Sequence, residues 1–207
     1  MKLADAQINS AQANDAKIND TKTKEAQNKD LTALVLVCWS RAWRGKNEIG
    51  KAEEAARKAV DVSKKSGVPL SDTLIELGEV CYAKNDLKGA AENAHRALEI
   101  NEKAFRSYEL LARVSLKEGQ ANAAMAEANR AVEINPYFAE AYTVMGDAQV
   151  VLGDFKGAAN NYQKATNLYP SLLRAHESLA NVLKKLGSKE EAQKEEETIT
   201  KLRGQQE

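Results

Sequence analysis

The chain repeats itself every 34 residues, and this period limits its possible folds more than any other feature. Gly78, Ala112, Gly146 and Ala180 fall at successive offsets of 34, as do Ala90, Ala124, Ala158 and Ala192. Leu77, Leu111, Met145 and Leu179 keep the same interval, and so do Ile100, Ile134, Leu168 and Leu202. Four frames run without a gap over 71–104, 105–138, 139–172 and 173–206. An earlier unit occupies 33–70, with Ala52 and Ala59 in the slots of Ala90 and Ala97. It is longer by four residues, and the excess is placed around Lys65-Ser-Gly-Val-Pro-Leu70. A period of this size marks stacked supersecondary units, each too small to bury its apolar face alone.

Each unit reads as two helices. In the 139–172 frame Ala139 to Leu152 is the first, Gly153-Asp154 the turn and Phe155 to Leu168 the second, with Pro170 as the stop signal. Gly119, Gly153 and Gly187 recur at that turn, where a positive φ is easiest for glycine. The whole chain of 207 residues holds only 3 Pro and 11 Gly, which suits a mostly helical protein. Small groups at Gly78, Ala112, Gly146 and Ala180 let two helices approach closely, and alanines at 90, 124, 158 and 192 answer them from the second helix. Larger groups such as Leu74, Tyr108 and Tyr142 are expected to fill the space between units.

The pattern resembles that of the tetratricopeptide repeat (TPR) family. The 139–172 unit matches it best, through Tyr142, Met145, Gly146, Ala158, Tyr162, Ala165 and Pro170, and departs from it at Gln149. The first unit departs most, with Ser40 in the small slot and Trp39 and Trp43 beside it. The resemblance implies an all-α, right-handed α-solenoid of five helix-turn-helix repeats. The last helix, Lys189 to Arg203, keeps only Ala192, Ile199 and Leu202 as an apolar stripe and supplies the polar outer face that an open end of an array requires.

The resemblance also implies a concave groove lined by the first helices, used to bind protein segments. In this sequence the groove slots carry Leu34, Asp72, Arg106, Glu140 and Arg174 at the second position. Arg41, Glu79, Arg113, Asp147 and Asn181 stand at the ninth, with Glu109 between the two rows. Signs alternate along the stack, so the charges either neutralise one another as a ladder of pairs or recognise a segment of alternating charge. The N-terminal end of the groove is apolar, with Leu34, Val37, Ile75 and Tyr82, and suits an amphipathic helix, an extended peptide or the chain's own N-terminal segment. The two-carboxylate clamp by which some TPR proteins hold chaperone C-termini is not expected, because Val37, Arg41 and Glu76 stand where it needs Lys, Asn and Asn.

Residues 1–32 form a distinct polar arm ahead of a repeat domain at 33–207. Its first 30 residues hold no Gly, Pro or aromatic residue. Ala4, Ile8, Ala11 and Ile18 follow a 4-3-7 spacing that places them on one helical seam, interrupted by Asp15 and Lys22. Alone such a helix is marginal in water, so the arm is either frayed, docked on its own chain, or ordered by contact with another copy. Two function classes follow: an adaptor that holds a protein partner in the groove, and a structural subunit whose copies form a ring or filament through the arm and the repeat ends.

Little points to chemistry. With 30 basic and 30 acidic side chains the formal charge is zero, against a dedicated nucleic-acid or polybasic membrane binder. The longest apolar run, Ala33 to Trp39, is far too short to span a bilayer and is expected to be a buried helix face. Gly45-Lys-Asn-Glu-Ile-Gly-Lys51-Ala52 nearly matches a phosphate-binding loop, but Ala52 replaces its hydroxyl residue and doubles as the packing alanine. Cys38 and Cys81 are expected to be buried, inert thiols, and His95 and His176 lie in different units. No catalytic, cofactor or metal site is expected, and a non-enzymatic role follows. With Met1 as the native start the expected compartment is the cytoplasm; with a leader removed it is the cell envelope or the exterior.

Overall fold

The computed structural model describes residues 31–66 and 70–205. Among the described residues every regular element is helical, ten helices with no strand. They are α1 (31–45), α2 (Ile49–Ser66), α3 (Ser71–Ala83), α4 (Leu87–Ile100), α5 (Phe105–Lys117), α6 (Ala121–Ile134), α7 (Ala139–Leu152), α8 (Phe155–Leu168), α9 (Leu173–Leu186) and α10 (Lys189–Gly204). Two compact units divide the chain, 1–84 and 85–207, so the boundary falls inside the 71–104 frame, between α3 and α4. No helix among the described residues is long and apolar enough to cross a membrane.

In the first unit α2 packs along α3. Its inward face is a run of small side chains, with Ala52, Ala56 and Ala59 fully buried, so the backbones sit close. Leu31 and Thr32, assigned from sequence to the arm, are already helical and belong to α1. The four surplus residues of this unit do not make a longer loop. They extend α2 to 18 residues, against 14 in α4, α6 and α8, which is roughly one more helical turn. That turn begins at Ser63, buried, whose Oγ accepts the Leu70 N–H at 2.8 Å, while the Ser66 hydroxyl donates to the Ser63 carbonyl at 2.7 Å.

In the second unit α5, α7 and α9 lie side by side, while α6, α8 and α10 pair with them, and α6 and α8 also with the next helix along. Ala90, Ala124 and Ala158 are fully buried and Ala192 nearly so, as the 34-residue slots require. At Gly146 an added Cβ would sit 2.5 Å from the Tyr162 ring, so hydrogen is the only side chain that this α7–α8 contact accepts. The core continues through Tyr142 packed with Ala139, Ala165 and Ala175, and through Tyr162 with Leu179, Val182 and Leu183. Phe105 and Phe138 meet edge to face, ring centroids 4.9 Å apart, where α5 and α7 begin.

The turns show how the repeat is punctuated. Gly119, Gly153 and Gly187 take φ of +76°, +82° and +81°, and Asn85 takes the same slot at +62°. In the first unit Asn47 fills it at +59°, which makes the near-match to a phosphate-binding loop an ordinary helix-helix turn. Asparagine is one of the few residues with a Cβ that tolerates this region. Asp86 and Asp154 cap the helices that follow, each accepting a backbone N–H at 2.9 Å, from Gly89 and Gly157. At the last helix Ala192 and Ile199 face inward and the charged residues other than Glu195 face outward. His176 on α9 holds α10 through Glu195, Nδ1 to carboxylate 2.6 Å, with Nε2 against the Pro170 carbonyl at 3.0 Å.

Candidate protein-binding surfaces

In the first unit the groove positions of α1 and α3 converge on a carboxylate. Glu76, which no side of the helix exposes, accepts the Ser40 hydroxyl at 2.9 Å, Arg41 Nε at 3.2 Å and Arg44 Nε at 3.3 Å. Arg44 also reaches the buried Glu79 through Nη1 at 3.3 Å. Both guanidinium groups keep an edge in solvent while the acids do not. The pairing therefore fastens α1 to α3 and leaves the outer N–H groups of the arginines available. Sequence reading named Arg41 and Glu79 but missed Glu76 and Arg44 as the centre of the cluster. The small Ser40 beside them was the available signal, since it leaves room for a buried acid.

Val37 and Ile75 do not line an exposed groove. Each is 2% exposed and belongs to the core, because α1 and α3 turn these faces toward each other. Leu34 and Asp72 are exposed and Tyr82 is half-buried, so these three are the accessible members of the N-terminal set. The run Ala33 to Trp39 is likewise not a buried face. Only Ala33 and Val37 turn inward; Leu34, Val35, Cys38 and Trp39 face outward. The expectation of two buried thiols fails with it: Cys38 is exposed and Cys81 half-buried, neither in a disulfide.

In the second unit Arg113 has a charge partner within its own helix. Its Nε lies 2.7 Å from Glu109, one turn back on α5 and itself buried. Asp147 on α7 does bridge repeats. It pairs with Arg174 on α9 and accepts the Tyr162 hydroxyl from α8 at 2.7 Å. Burial pushes the Asp147 carboxyl above its ordinary range, against the opposing pull of Arg174, and burial first, then Asp147, raises the Tyr162 hydroxyl. Tyr162 was read from sequence only as a packing residue. Arg106 and Glu140 are half-exposed, and Arg174 and Asn181 are exposed.

Nearby, desolvation raises the Glu127 carboxyl, which accepts the Ser115 hydroxyl at 2.8 Å. In the first unit hydrogen bonds from Lys84 and Arg57 lower Glu53. These are structural pairings, each joining one helix to another or one turn to the next. Among the described residues no group of His, Cys, Asp and Glu converges as metal ligands would. The proposed arm seam of Ala4, Ile8, Ala11 and Ile18 lies outside the described residues.

Residues 105–138 match the family model described as tetratricopeptide repeat, and residues 146–187 match a second, described as TPR repeat. The chain belongs to the tetratricopeptide repeat family. No curated protein matches it. Among solved structures, a thermophilic TPR protein from Thermus thermophilus is similar with a TM-score of 0.72 and 14% identity, over 82% of this chain and 91% of that one. PilF of Pseudomonas aeruginosa gives a TM-score of 0.69 and 14% identity, over 84% and 78%. YrrB, described as a TPR protein with an unusual peptide-binding site, gives 0.52 and 19%, over 87% and 91%. These likenesses establish the all-α, TPR-type repeat fold. The two matched segments span α5–α6 and the stretch from α7 into α9, the part of the chain where Gly146 and Tyr162 also lock.

Proposed function

We propose that this protein is a non-catalytic interaction scaffold that binds protein segments of alternating charge along its first helices. The observation that carries the reading is the division of labour among the charges. In the second unit Glu109 is buried and occupied by Arg113, whereas Arg106, Glu140 and Arg174 keep solvent access, Arg174 while paired with Asp147. The exposed members change sign from one first helix to the next, which a partner with regularly spaced charges complements. The TPR fold supports it, because repeat arrays present extended surfaces to peptides, and the peptide site ascribed to YrrB shows the fold in that use.

The test is selection of binding peptides from a displayed library, followed by titration against a charge-swapped variant, Arg106→Glu with Glu140→Lys. Both residues lie in the second unit, outside the buried pairs, so the swap leaves the packing intact. Selected peptides should carry alternating charge and lose about tenfold in affinity, since each charge pair at an exposed interface is worth on the order of 1 kcal/mol. Unchanged affinity would place the binding surface elsewhere.

A further inference from the structure

The last helix is attached to the stack more by charge than by burial. Among the described residues α8 lies between α7 and α9 and buries Ala158, Tyr162, Ala165 and Thr166, whereas α10 packs on α9 alone and buries Ala192 and Ile199. In the apolar cluster beside it, Ala158 and Tyr162 come from α8 and Leu179, Val182 and Leu183 from α9. To these buried residues α10 adds a single alanine, Ala192, so this core is nearly complete without it. The start of α10 is also weakly fixed. Asp154 caps α8 through its side chain, but Ser188 makes no such bond to α10.

Polar links spaced along the helix carry the rest of the attachment. Glu195 meets Nδ1 of His176 at 2.6 Å, Glu196 pairs with Lys184, and Arg203 holds Glu177 at 2.6 Å. In the Lys184 and Arg203 pairs every side chain is at least 38% exposed, so water and salt compete for them. Gly187, at φ +81°, forms the turn between α9 and α10. Detached from α9, a helix of 16 residues is marginal in water. We propose that α10 is an electrostatic latch, which leaves α9 as one unit about the Gly187 turn, melts and redocks. The Lys184–Glu196 and Arg203–Glu177 pairs set how often it opens. Opening returns Glu177 and Lys184 to solvent and uncovers the α9 side of the Leu179, Val182 and Leu183 cluster. Ionic strength then governs the exposure of this end of the second unit while α5 to α9 stay folded.

Hydrogen exchange of the full chain under native conditions, resolved to individual amides by NMR, tests the latch. At about 0.05 M sodium chloride the amides of 193–204 should exchange together and faster than those of α8 and α9. At about 1 M, where charges act over only about 3 Å, they should exchange about tenfold faster again while α8 and α9 stay as they were. Lys184→Ala with Arg203→Ala takes one partner from each exposed pair and leaves the buried residues of α9 in place. This variant should exchange fast already at about 0.05 M and lose most of the salt response. Protection of α10 equal to that of α8 and α9 at both salt concentrations would overturn the proposal. Exchange that quickens gradually toward residue 204 would also overturn it, because that is fraying from the end rather than release as a unit. So would a salt response that survives undiminished in the double variant.

Discussion

Single residues decide the tightest contacts. Gly146 faces the Tyr162 ring at a distance no Cβ tolerates, and Tyr162 is fixed in turn by its bond to Asp147. Gly146→Ala should therefore cost about 1–2 kcal/mol, overpacking outweighing the better helix propensity of alanine. Urea denaturation monitored by circular dichroism measures it, and a variant as stable as the native chain would mean that Tyr162 can move aside. Asp147 makes a second prediction. Because burial holds its carboxyl above the ordinary value of 3.8, the folded chain keeps a proton that the unfolded chain releases just above that pH. Stability from this group is thus highest at low pH and declines as pH rises through the raised pKa. Asp147→Asn removes the titration and keeps an acceptor for Tyr162. The stability of the native chain relative to this variant should fall with rising pH above about 4 and then level off. A difference that stays constant, or grows with pH, in denaturant titrations across that range would contradict the assigned burial cost.

Elements are joined by a few buried polar centres set in alanine-rich packing. Glu76 on α3 gathers Ser40, Arg41 and Arg44 of α1, so its removal takes this partner from Arg41 and leaves Arg44 its contact with Glu79. Since both arginines still reach water, Glu76→Ala should cost about 2–3 kcal/mol, below the full penalty of breaking a wholly buried pair. Fluorescence of Trp39 and Trp43 on α1 reports the loosening, and a melting temperature equal to that of the native chain would show that alanine packing alone holds α1. This centre was not legible beforehand. A glutamate one position from an apolar slot reads as a surface residue until the neighbouring helix is in place to bury it. The turns were half legible: glycine marked three of them, while Asn47 and Asn85 took the same backbone conformation and were passed over. The spacing of 34 between Asn85 and Gly119 contained the clue.

For the whole molecule, the order of helices and the identity of the packing slots followed from the sequence alone. Helix propensity is local, and a 34-residue period repeats the same steric requirement at each small slot, so Ala90, Ala124, Ala158 and Gly146 announce themselves without coordinates. Which charges are buried and which are free was a matter for the tertiary structure. A helix displays residues around its full circumference, and the neighbours present decide which side is covered. That is why Val37 and Ile75 went to the core, why Arg113 turned to Glu109 on its own helix, and why Leu31, Val35, Cys38 and Trp39 were left outside. The sequence by itself determined a stack of helix pairs with a polar last helix. Only the packing of α1 against α3 determined which face of the first helix goes inward, because the Ser40, Arg41 and Arg44 bonds to Glu76 fix its rotation.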